Sequence, residues 1–320
     1  MADQTRRAVL AGLASAALVP AWAQSPGRHL TIVVGLAAGG GTDAVARVLQ
    51  PKLQDALGQT VIVENRAGAS GLIAADYVAR AGADANLLML APSGVIVSSF
   101  VIKRKLSFAL QDLAPVALAC TFPMLLVADA KLPIKSFGDL VAYIKANPAK
   151  ANSSGSGSAF ELQTALFSQR SGAPVQFVQY KSTTESVAAV MAGDVLMTFA
   201  DAGPALAGIR GNRLRVLAVT SPQRSADFPD APTMRELGFP ELEAEYWMGL
   251  FAPARTPPAA LKRVEVEMKK VLELPDVRAS LATKLVEPHW STGAEFGERI
   301  QSDIARWSSV RTAAGIAQTD

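Results

Sequence analysis

Short apolar runs alternate with helical patterns in the first third of the chain. The stretch "HLTIVVGL" at residues 29–36 is rich in β-branched residues and ends at a glycine, which is typical of a buried parallel strand. Apolar residues then recur at helical spacing from Val45 to Leu57. Pro51 interrupts that pattern, so we expect the helix to kink or split there and to end at Gly58. The strand-like runs "TVIVEN" and "LLMLAPS" flank another helical stretch, and this alternation predicts a doubly wound α/β sheet.

The pattern loosens after residue 113 and then resumes. The long apolar segment "APVALACTFPMLLVAD" contains Pro115 and Pro123, and we interpret it as a connection between two lobes. A second α/β series follows it, with a helix near 137–146, a strand before "NSSGSGS", and further strands through "LRVLAVTS". The stretch "EYWMGLFAPA" is a second apolar crossing, and helical stretches around 259–272 and 294–314 close the chain.

This layout predicts an α/β protein made of two doubly wound sheets that are joined by two crossover segments. We assign residues 28–123 and 248–320 to lobe one and residues 124–247 to lobe two. Two crossings between two lobes make a hinge, and the cleft beside a hinge is a common place for a small ligand.

The first residues have the features of an export signal. Arg6 and Arg7 precede an apolar run at residues 8–19, which is too short to span a bilayer, and Ala-Trp-Ala at 21–23 fits a cleavage site. We therefore expect a signal peptide over residues 1–23, cleaved after Ala23, and a periplasmic mature protein. The stretch "TRRAVL" is twin-arginine-like, but the ordinary secretory route and an uncleaved anchor remain alternatives.

Composition narrows the function classes. The 320 residues are 50% hydrophobic and 18% charged with a formal net charge of +3, so we expect a packed protein of two lobes. No block of like charges stands out, which argues against nucleic-acid binding. The single cysteine, Cys120, lies in an apolar run and is expected to be a buried thiol. Neither histidine, His29 or His289, belongs to a metal or hydrolase motif, so we expect no catalytic residue, metal or cofactor.

The stretch "GLAAGGGTDAVARVL" places three glycines directly before a predicted helix. A helix N-terminus offers unpaired backbone N–H groups and the positive end of the helix dipole, and glycines let an anion approach them closely. We therefore predict that this glycine turn, residues 35–43, holds a carboxylate or phosphate; the alternative is a plain strand–helix turn. The candidate ligand-binding residues here are Gly39, Gly40, Gly41, Thr42 and Asp43, although Asp43 can instead complement the helix dipole.

A second donor-rich stretch occurs in lobe two. The serine turn, "NSSGSGSAF" at residues 152–160, also falls between a predicted strand and a predicted helix; the alternative is a flexible linker. Its candidate ligand-binding residues are Ser153, Ser154, Gly155, Ser156, Gly157 and Ser158. Asp201 follows another strand, where it either pairs with a ligand ammonium or hydroxyl or caps the next helix. A ligand bearing carboxylates would bridge the two turns across the cleft.

Several blocks together resemble the solute receptors of tripartite tricarboxylate transporters, the Bug-type or TctC-like family. They include "GGGTDAVARVL", "LGQTVIVENRAGASG", "SSGSGS", "VQYKSTTESVAAVMAGDV" and "LRVLAVTSPQRSADFPDAPTMRELGFPELEAEYWMGLFAPARTP". The resemblance spans essentially the whole chain after the leader. It departs at Glu161, where the family often has histidine, at Ser182, where it has glycine, and at "DANLLM" in place of "DGYTLL".

The resemblance implies a periplasmic two-lobed binding protein, type II-like, without catalytic activity. It implies that the glycine and serine turns hold the ligand carboxylate, often with ordered waters, and it adds Ser93 to the candidate contacts. The expected partners are a small mono-, di- or aromatic carboxylate and the permease subunits of such a transporter, and we expect a monomer. The same binding event presented to a membrane sensor kinase is the alternative, and an enzyme is a third possibility that lacks the necessary acid–base residues.

Overall fold

The structure is a computed structural model that describes residues 29–83 and 85–319. The predicted signal peptide, residues 1–23, lies outside the described residues. Within the described part of the chain, no helix is both long enough and apolar enough to cross a bilayer.

Strands and helices alternate along most of the described chain. The strands are β1 Leu30–Val34, β2 Val61–Asn65, β3 Leu87–Pro92, β4 Leu113–Asp129, β5 Asn152–Gly155, β6 Gln176–Gln179, β7 Met197–Asp201, β8 Leu214–Val219, β9 Glu245–Pro253 and β10 Glu287–Thr292. The helices are α1 Gly41–Leu57, α2 Leu72–Ala79, α3 Ser93–Ile102, α4 Phe137–Ala146, α5 Ser158–Ser171, α6 Thr183–Ala192, α7 Ala202–Arg210, α8 Pro258–Glu273, α9 Pro275–Ala282 and α10 Gly293–Ala313.

The lobe-one sheet is built around β1. Strands β2 and β3 pair with β1 in parallel, and β9 and the first half of β4 extend the sheet in antiparallel fashion. All five residues of β1 are buried because helices cover both faces of the sheet. Ile32 and Val34 pack with Leu49 and Leu53 of α1, whereas Val33 packs on the opposite face with Val78 of α2. This is the doubly wound arrangement that the strand–helix alternation predicts.

The lobe-two sheet has the same construction. Strand β5 pairs in parallel with β6 on one side and β7 on the other, and β7 then pairs with the second half of β4. Helix α5 packs its buried face toward this sheet, where Phe167 meets Phe137 and Phe199. The carboxyl ends of β5, β6 and β7 therefore lie along one edge, and α5, α6 and α7 begin there.

Strand β4 links the two sheets. Its first half, up to Pro123, pairs with β9 and β10, and from Met124 onward it pairs with β7 and β8. The pairing register shifts between Pro115 and Ala117, close to a residue that has no N–H to give to the ladder. The segment interpreted as a connection between the lobes is thus a 17-residue strand, and it joins the two predicted sheets in one hydrogen-bonded ladder.

Thr220 ties the two crossings together where the strands change partners. The Met124 N–H donates to Thr220 Oγ1 at 2.9 Å, and that hydroxyl donates to the Ala244 carbonyl at 2.7 Å. Backbone hydrogen bonds add to this link, from Thr220 N to the Met124 carbonyl and from Ala244 N to the Thr220 carbonyl. Thr220 is fully buried, so these polar groups depend on one another rather than on water.

The structure differs from the sequence predictions at several elements. Helix α1 runs unbroken through Pro51, so the helix is not split; Pro51 lies on its exposed side, where water can serve the carbonyl that a proline leaves unpaired. The strand expected before "NSSGSGS" is instead formed by Asn152–Gly155, because those residues supply the ladder bonds to β6. Helix α3, helix α9 and strand β10 were not predicted.

Candidate functional site

The two lobes touch where α3 and α5 begin. A methyl group placed on Gly94, the second residue of α3, would lie 3.5 Å from Ala159 Cβ, in the first turn of α5. Ser93 and Ala159 also line one small cavity together with Tyr246 and Asp303. Ser93 is 7% exposed, and its Oγ is 3.5 Å from the Trp247 backbone N–H. The start of α3 in lobe one therefore lies close to the serine turn and the start of α5 in lobe two.

The glycine turn lies beside Ser93 on the lobe-one side. Strands β1 and β3 are parallel neighbours, with Val34 opposite Leu90, so the turns that follow them emerge at the same sheet edge. Gly35, at the start of the turn, packs against Gly71, and a Cβ on Gly35 would come within 2.9 Å of the Gly71 backbone. Close packing thus explains the first glycine of the turn without reference to a ligand.

The Asp43 side chain organises the glycine turn from within. Its Oδ2 accepts the Gly39 N–H at 2.9 Å and Arg47 Nε at 2.9 Å. The hydrogen bond from Arg47 holds the pKa of the Asp43 carboxyl below its usual range, against the opposing effect of burial. Asn65 joins the same cluster, because its Oδ1 accepts Arg47 Nη2 at 3.3 Å and its Nδ2 donates to the Leu36 carbonyl at 3.2 Å.

These internal bonds decide which amides of the turn remain open. The Gly39 N–H is taken by Asp43, and the Gly40 N–H donates to the Ala37 carbonyl at 3.2 Å. Gly41 and Thr42 are the first two residues of α1, where a helix leaves its N–H groups unpaired. A Cβ on Gly41 would meet no atom within 4 Å, so the space beside the first residue of α1 is open.

The two serines inside β5 have their hydroxyls engaged within lobe two. Ser153 and Ser154 are both 0% exposed. Ser154 Oγ donates to the Ser186 carbonyl at 3.0 Å and accepts the Ser186 hydroxyl at 2.8 Å, while Ser153 Oγ accepts the Thr164 hydroxyl at 3.2 Å. These hydroxyls are therefore not available as ligand donors in this structure, since the strand turns them into the lobe.

The residues after β5 are more accessible. Ser156 Oγ and Thr183 Oγ1 share a hydrogen bond of 3.0 Å, and the Gly157 N–H donates to Gln179 Oε1 at 3.3 Å. Gly157 has φ of 113°, a conformation that favours glycine, and Ser158 starts α5 without a side-chain cap. Gly155 is required by packing, because a Cβ there would lie 2.4 Å from Phe160 Cβ.

Asp201 stands at the end of β7, on the same edge of lobe two. It occupies the N-cap position of α7 but makes no side-chain capping bond, which removes capping as its role. Burial raises the pKa of its carboxyl to about 6, and a hydrogen bond with Thr183 opposes that rise. Thr183 thus lies between Ser156 and Asp201. Glu161, one turn into α5, is half-buried, and burial raises the pKa of its carboxyl as well.

The structure brings Gly41, Thr42 and Ser93 to the lobe-one edge, and Ser156, Gly157, Ser158 and Asp201 to the lobe-two edge. Sequence reasoning missed Arg47, Asn65, Thr183 and Gln179, which hold the turns in place. The i,i+4 spacing of Asp43 and Arg47 was a usable signal for one of these contacts. Among the described residues, no group of three or more histidine, cysteine or acidic side chains is placed to hold a metal ion.

Comparison with known proteins identifies a family and its fold. The family described as tripartite tricarboxylate transporter family receptor matches residues 45–316 of the chain. Among curated relatives, the protein BugT of Bordetella pertussis is 34% identical over 289 residues, which cover 89% of this chain and 89% of BugT.

Two solved structures from Rhodopseudomonas palustris have the same fold. Rpa4515 with adipate has a TM-score of 0.84 and 29% identity, covering 92% of this chain and 99% of that one. MatC with bound malate has a TM-score of 0.79 and 27% identity, covering 89% of this chain and 99% of that one. Both structures therefore contain a dicarboxylate.

Proposed function

This chain belongs to the tripartite tricarboxylate transporter receptor family, and from that membership we propose that it captures a small carboxylate between its two lobes for transport. The carboxylate is bound by backbone N–H groups at the helix ends on both sides of the cleft. The adipate and malate carried by the two similar structures define the first ligand class to test.

One observation carries the proposal. Gly41 and Thr42 offer open N–H groups at the start of α1, while the serine turn starts α5 on the facing lobe. The contact between Gly94 and Ala159 sets these lobe edges close together. A helix N-terminus favours an anion through its unpaired N–H groups and its dipole, and two of them on opposite lobes favour a ligand that closes the gap.

In this proposal the ligand contacts come from Gly41, Thr42, Ser93, Ser156, Gly157, Ser158 and Asp201. Thr42 and Ser93 are largely buried, and Gly157 also donates its N–H to Gln179. The others support the turns: Gly39, Gly40 and Asp43 shape the glycine turn, and Ser153, Ser154 and Gly155 anchor β5. We keep the predicted lobe boundaries, residues 28–123 with 248–320 and residues 124–247. The change of pairing partners of β4 between Pro123 and Met124 supports the boundary at the first crossing.

Several finer points belong to the same proposal. The protein is a monomer that is exported, cleaved after Ala23 and periplasmic, and it passes its ligand to permease subunits of a tripartite transporter. It binds its ligand without chemical turnover. Sequencing the N-terminus of the protein recovered from a periplasmic extract tests the export step, and a mature chain that begins at Gln24 is expected.

A ligand panel tests the binding function. The purified mature protein is titrated in a thermal-shift assay with malate, adipate, succinate, citrate and benzoate, each beside its uncharged amide. A ligand at 100 times its Kd stabilises the native state by about 2.7 kcal/mol, so the melting temperature rises with acids and not with amides. Hits are then measured by calorimetry, and a flat response to every acid would overturn the proposed function.

A further inference from the structure

Arg47 stands directly behind the carboxylate site. Its side chain is 56% exposed, yet its Nε reaches the Asp43 carboxylate, whose side chain is 3% exposed. Asp43 is the third residue of α1, and the open N–H groups of Gly41 and Thr42 directly precede it. A buried carboxylate therefore lies within one helical turn of the place proposed for an anionic ligand.

This placement sets an electrostatic problem for an anion receptor. Like charges separated by less than a Debye length repel one another, and the repulsion grows where water is excluded. Asp43 is nevertheless needed, because its Oδ2 accepts the Gly39 N–H and so fixes the turn. The positive charge of Arg47, which pairs with Asp43, must then cancel this negative charge.

We propose that Arg47 is a positioning residue of the carboxylate site, which cancels the charge of Asp43 and locks the glycine turn so that the Gly41 and Thr42 amides face an anion without a negative neighbour. The inference rests on the proposed function and adds a residue to its machinery. Arg47 acts through Asp43 and does not touch the ligand.

Asn65 completes the arrangement from the edge strand. Its amide accepts from Arg47 and donates to the Leu36 carbonyl, so it joins the end of β2 to α1 and to the start of the glycine turn. The guanidinium is thus held from two sides, by Asp43 and by Asn65. Arg47 uses its Nε for Asp43 and its Nη2 for Asn65. Arginine can hold two partners in this way, whereas lysine offers a single point charge on a flexible side chain.

The chain allows the charge to be changed without changing the turn. The Gly39 and Arg47 bonds both fall on the same oxygen, Oδ2, so the single carbonyl oxygen of Asp43→Asn can accept both. Asp43→Asn therefore removes the negative charge and keeps both of these bonds, while its NH2 group takes the place of Oδ1, a buried atom that has no hydrogen-bond partner. Arg47→Met removes the positive charge and keeps much of the side-chain length.

The test compares four proteins by calorimetric titration with malate and with adipate: wild type, Asp43→Asn, Arg47→Met and the double variant. Arg47→Met is expected to bind about tenfold more weakly, because the charge of Asp43 is exposed to the ligand. The double variant is expected to recover to within about threefold of wild type, and Asp43→Asn to bind at least as tightly as wild type. Arg47→Lys should recover only part of the loss.

Arg80→Met is the matched control. Arg80 forms the same i,i+4 pair with Asp76 on α2 and has a similarly exposed side chain, but it lies outside the proposed site. The carboxylate affinity of Arg80→Met should equal that of wild type. The melting temperature of every variant is measured to confirm that it is folded.

The outcomes separate the inference from the function it rests on. Equal affinities in all four proteins, or a double variant as weak as Arg47→Met, would overturn the inference and leave the receptor function intact. A wild-type protein that binds no acid of the panel would overturn both.

Discussion

At the residue scale, the binding capacity of the glycine turn depends on which amides are left over. The sequence offers a run of N–H donors from Gly39 to Asp43. The structure assigns the Gly39 amide to Asp43 and the Gly40 amide to Ala37, so the open donors are those that begin α1. In the proposed site we therefore expect a ligand to meet the end of the helix rather than the apex of the turn.

The first prediction concerns Gly41. Gly41→Val should reduce carboxylate affinity at least about 100-fold, because the branched side chain fills the space in front of the open amides, and this corresponds to a loss of about 2.7 kcal/mol. The fold should survive, since a Cβ at this position meets no atom within 4 Å. Calorimetric titration with adipate and a thermal melt measure the two quantities.

Gly138→Val is the control for that variant. Gly138 is also exposed in the first turn of a helix, α4, and a Cβ there would make only an ordinary contact of 3.7 Å with Ser136 Oγ. Gly138→Val should lose as much helix stability as Gly41→Val, but its carboxylate affinity should equal that of wild type. Unchanged affinity in Gly41→Val would remove Gly41 from the site.

The second prediction concerns the pH dependence of stability at Asp201. Its pKa is about 6 in the native state and about 4 in an unfolded chain, so the native state binds more protons between these values. The stability that Asp201 contributes is therefore fully present below about pH 4 and is lost as the pH rises through 6. Relative to Asp201→Asn, wild type should lose up to roughly 3 kcal/mol of unfolding free energy between pH 4 and 7.

Urea unfolding of wild type and Asp201→Asn at intervals from pH 4 to pH 8 measures this difference. Asn keeps an oxygen for the Thr183 hydroxyl, so the comparison isolates the charge. A constant difference between the two proteins across this range would show that the Asp201 carboxyl is not desolvated.

Residue roles were the least predictable level from sequence. The pattern "GGGTD" indicated a helix start with donors, and that reading agrees with the start of α1 at Gly41. It did not show that the Asp43 carboxylate accepts the Gly39 N–H four residues earlier. The contact between Arg47 and Asn65, which are 18 residues apart, depends on the tertiary structure and has no local signal. Likewise, the serine-rich stretch did not reveal that Ser153 and Ser154 turn into the lobe, since that depends on the strand register of β5.

At the element scale, the shared strand β4 and Thr220, which links it to the return crossing, form the junction between the two sheets. Periodicity predicted most helices and strands, including α4 and α10 within one or two residues, because their apolar faces repeat regularly. It failed at α3, whose residues are almost all apolar or small and show no clear face, and at β5, whose residues are polar because β5 is held by hydroxyl contacts.

The third prediction concerns Thr220. Thr220→Val should lower the free energy of unfolding by about 2 kcal/mol or more, because it leaves the buried Met124 N–H and Ala244 carbonyl without their partner. Thr220→Ser keeps the hydroxyl and should cost no more than about 1 kcal/mol. Urea unfolding at 25 °C compares the three proteins, and equal losses in both variants would mean that the hydroxyl link between the crossings contributes nothing.

At the scale of the whole molecule, the single cysteine allows no disulfide bond within the chain. The stability of both sheets therefore depends on the burial of apolar side chains. Cys120 lies fully buried in β4, where the lobe-one part of the strand meets the core, and burial raises the pKa of its thiol to about 12. A thiol in that state is neither exposed nor ionised, so it is inert as long as the core is closed.

The fourth prediction uses that thiol as a reporter. At pH 8 the native protein should react with a thiol reagent only as fast as it unfolds, and a saturating carboxylate ligand should slow the reaction further. The protection of the Cys120 thiol is measured by comparing its labelling rate in the native protein with its labelling rate in denaturing urea. Rapid and complete labelling of the native protein would contradict the closed core described here.

The most direct test of the central claim is a crystal structure of the mature protein with malate or adipate bound. We expect one ligand carboxylate within hydrogen-bond distance of the Gly41 or Thr42 N–H, and the same ligand in contact with Ser156, Gly157 or Ser158 across the gap. A ligand bound outside the interlobe cleft, or one that contacts a single lobe while the facing turn points away from it, would contradict the account.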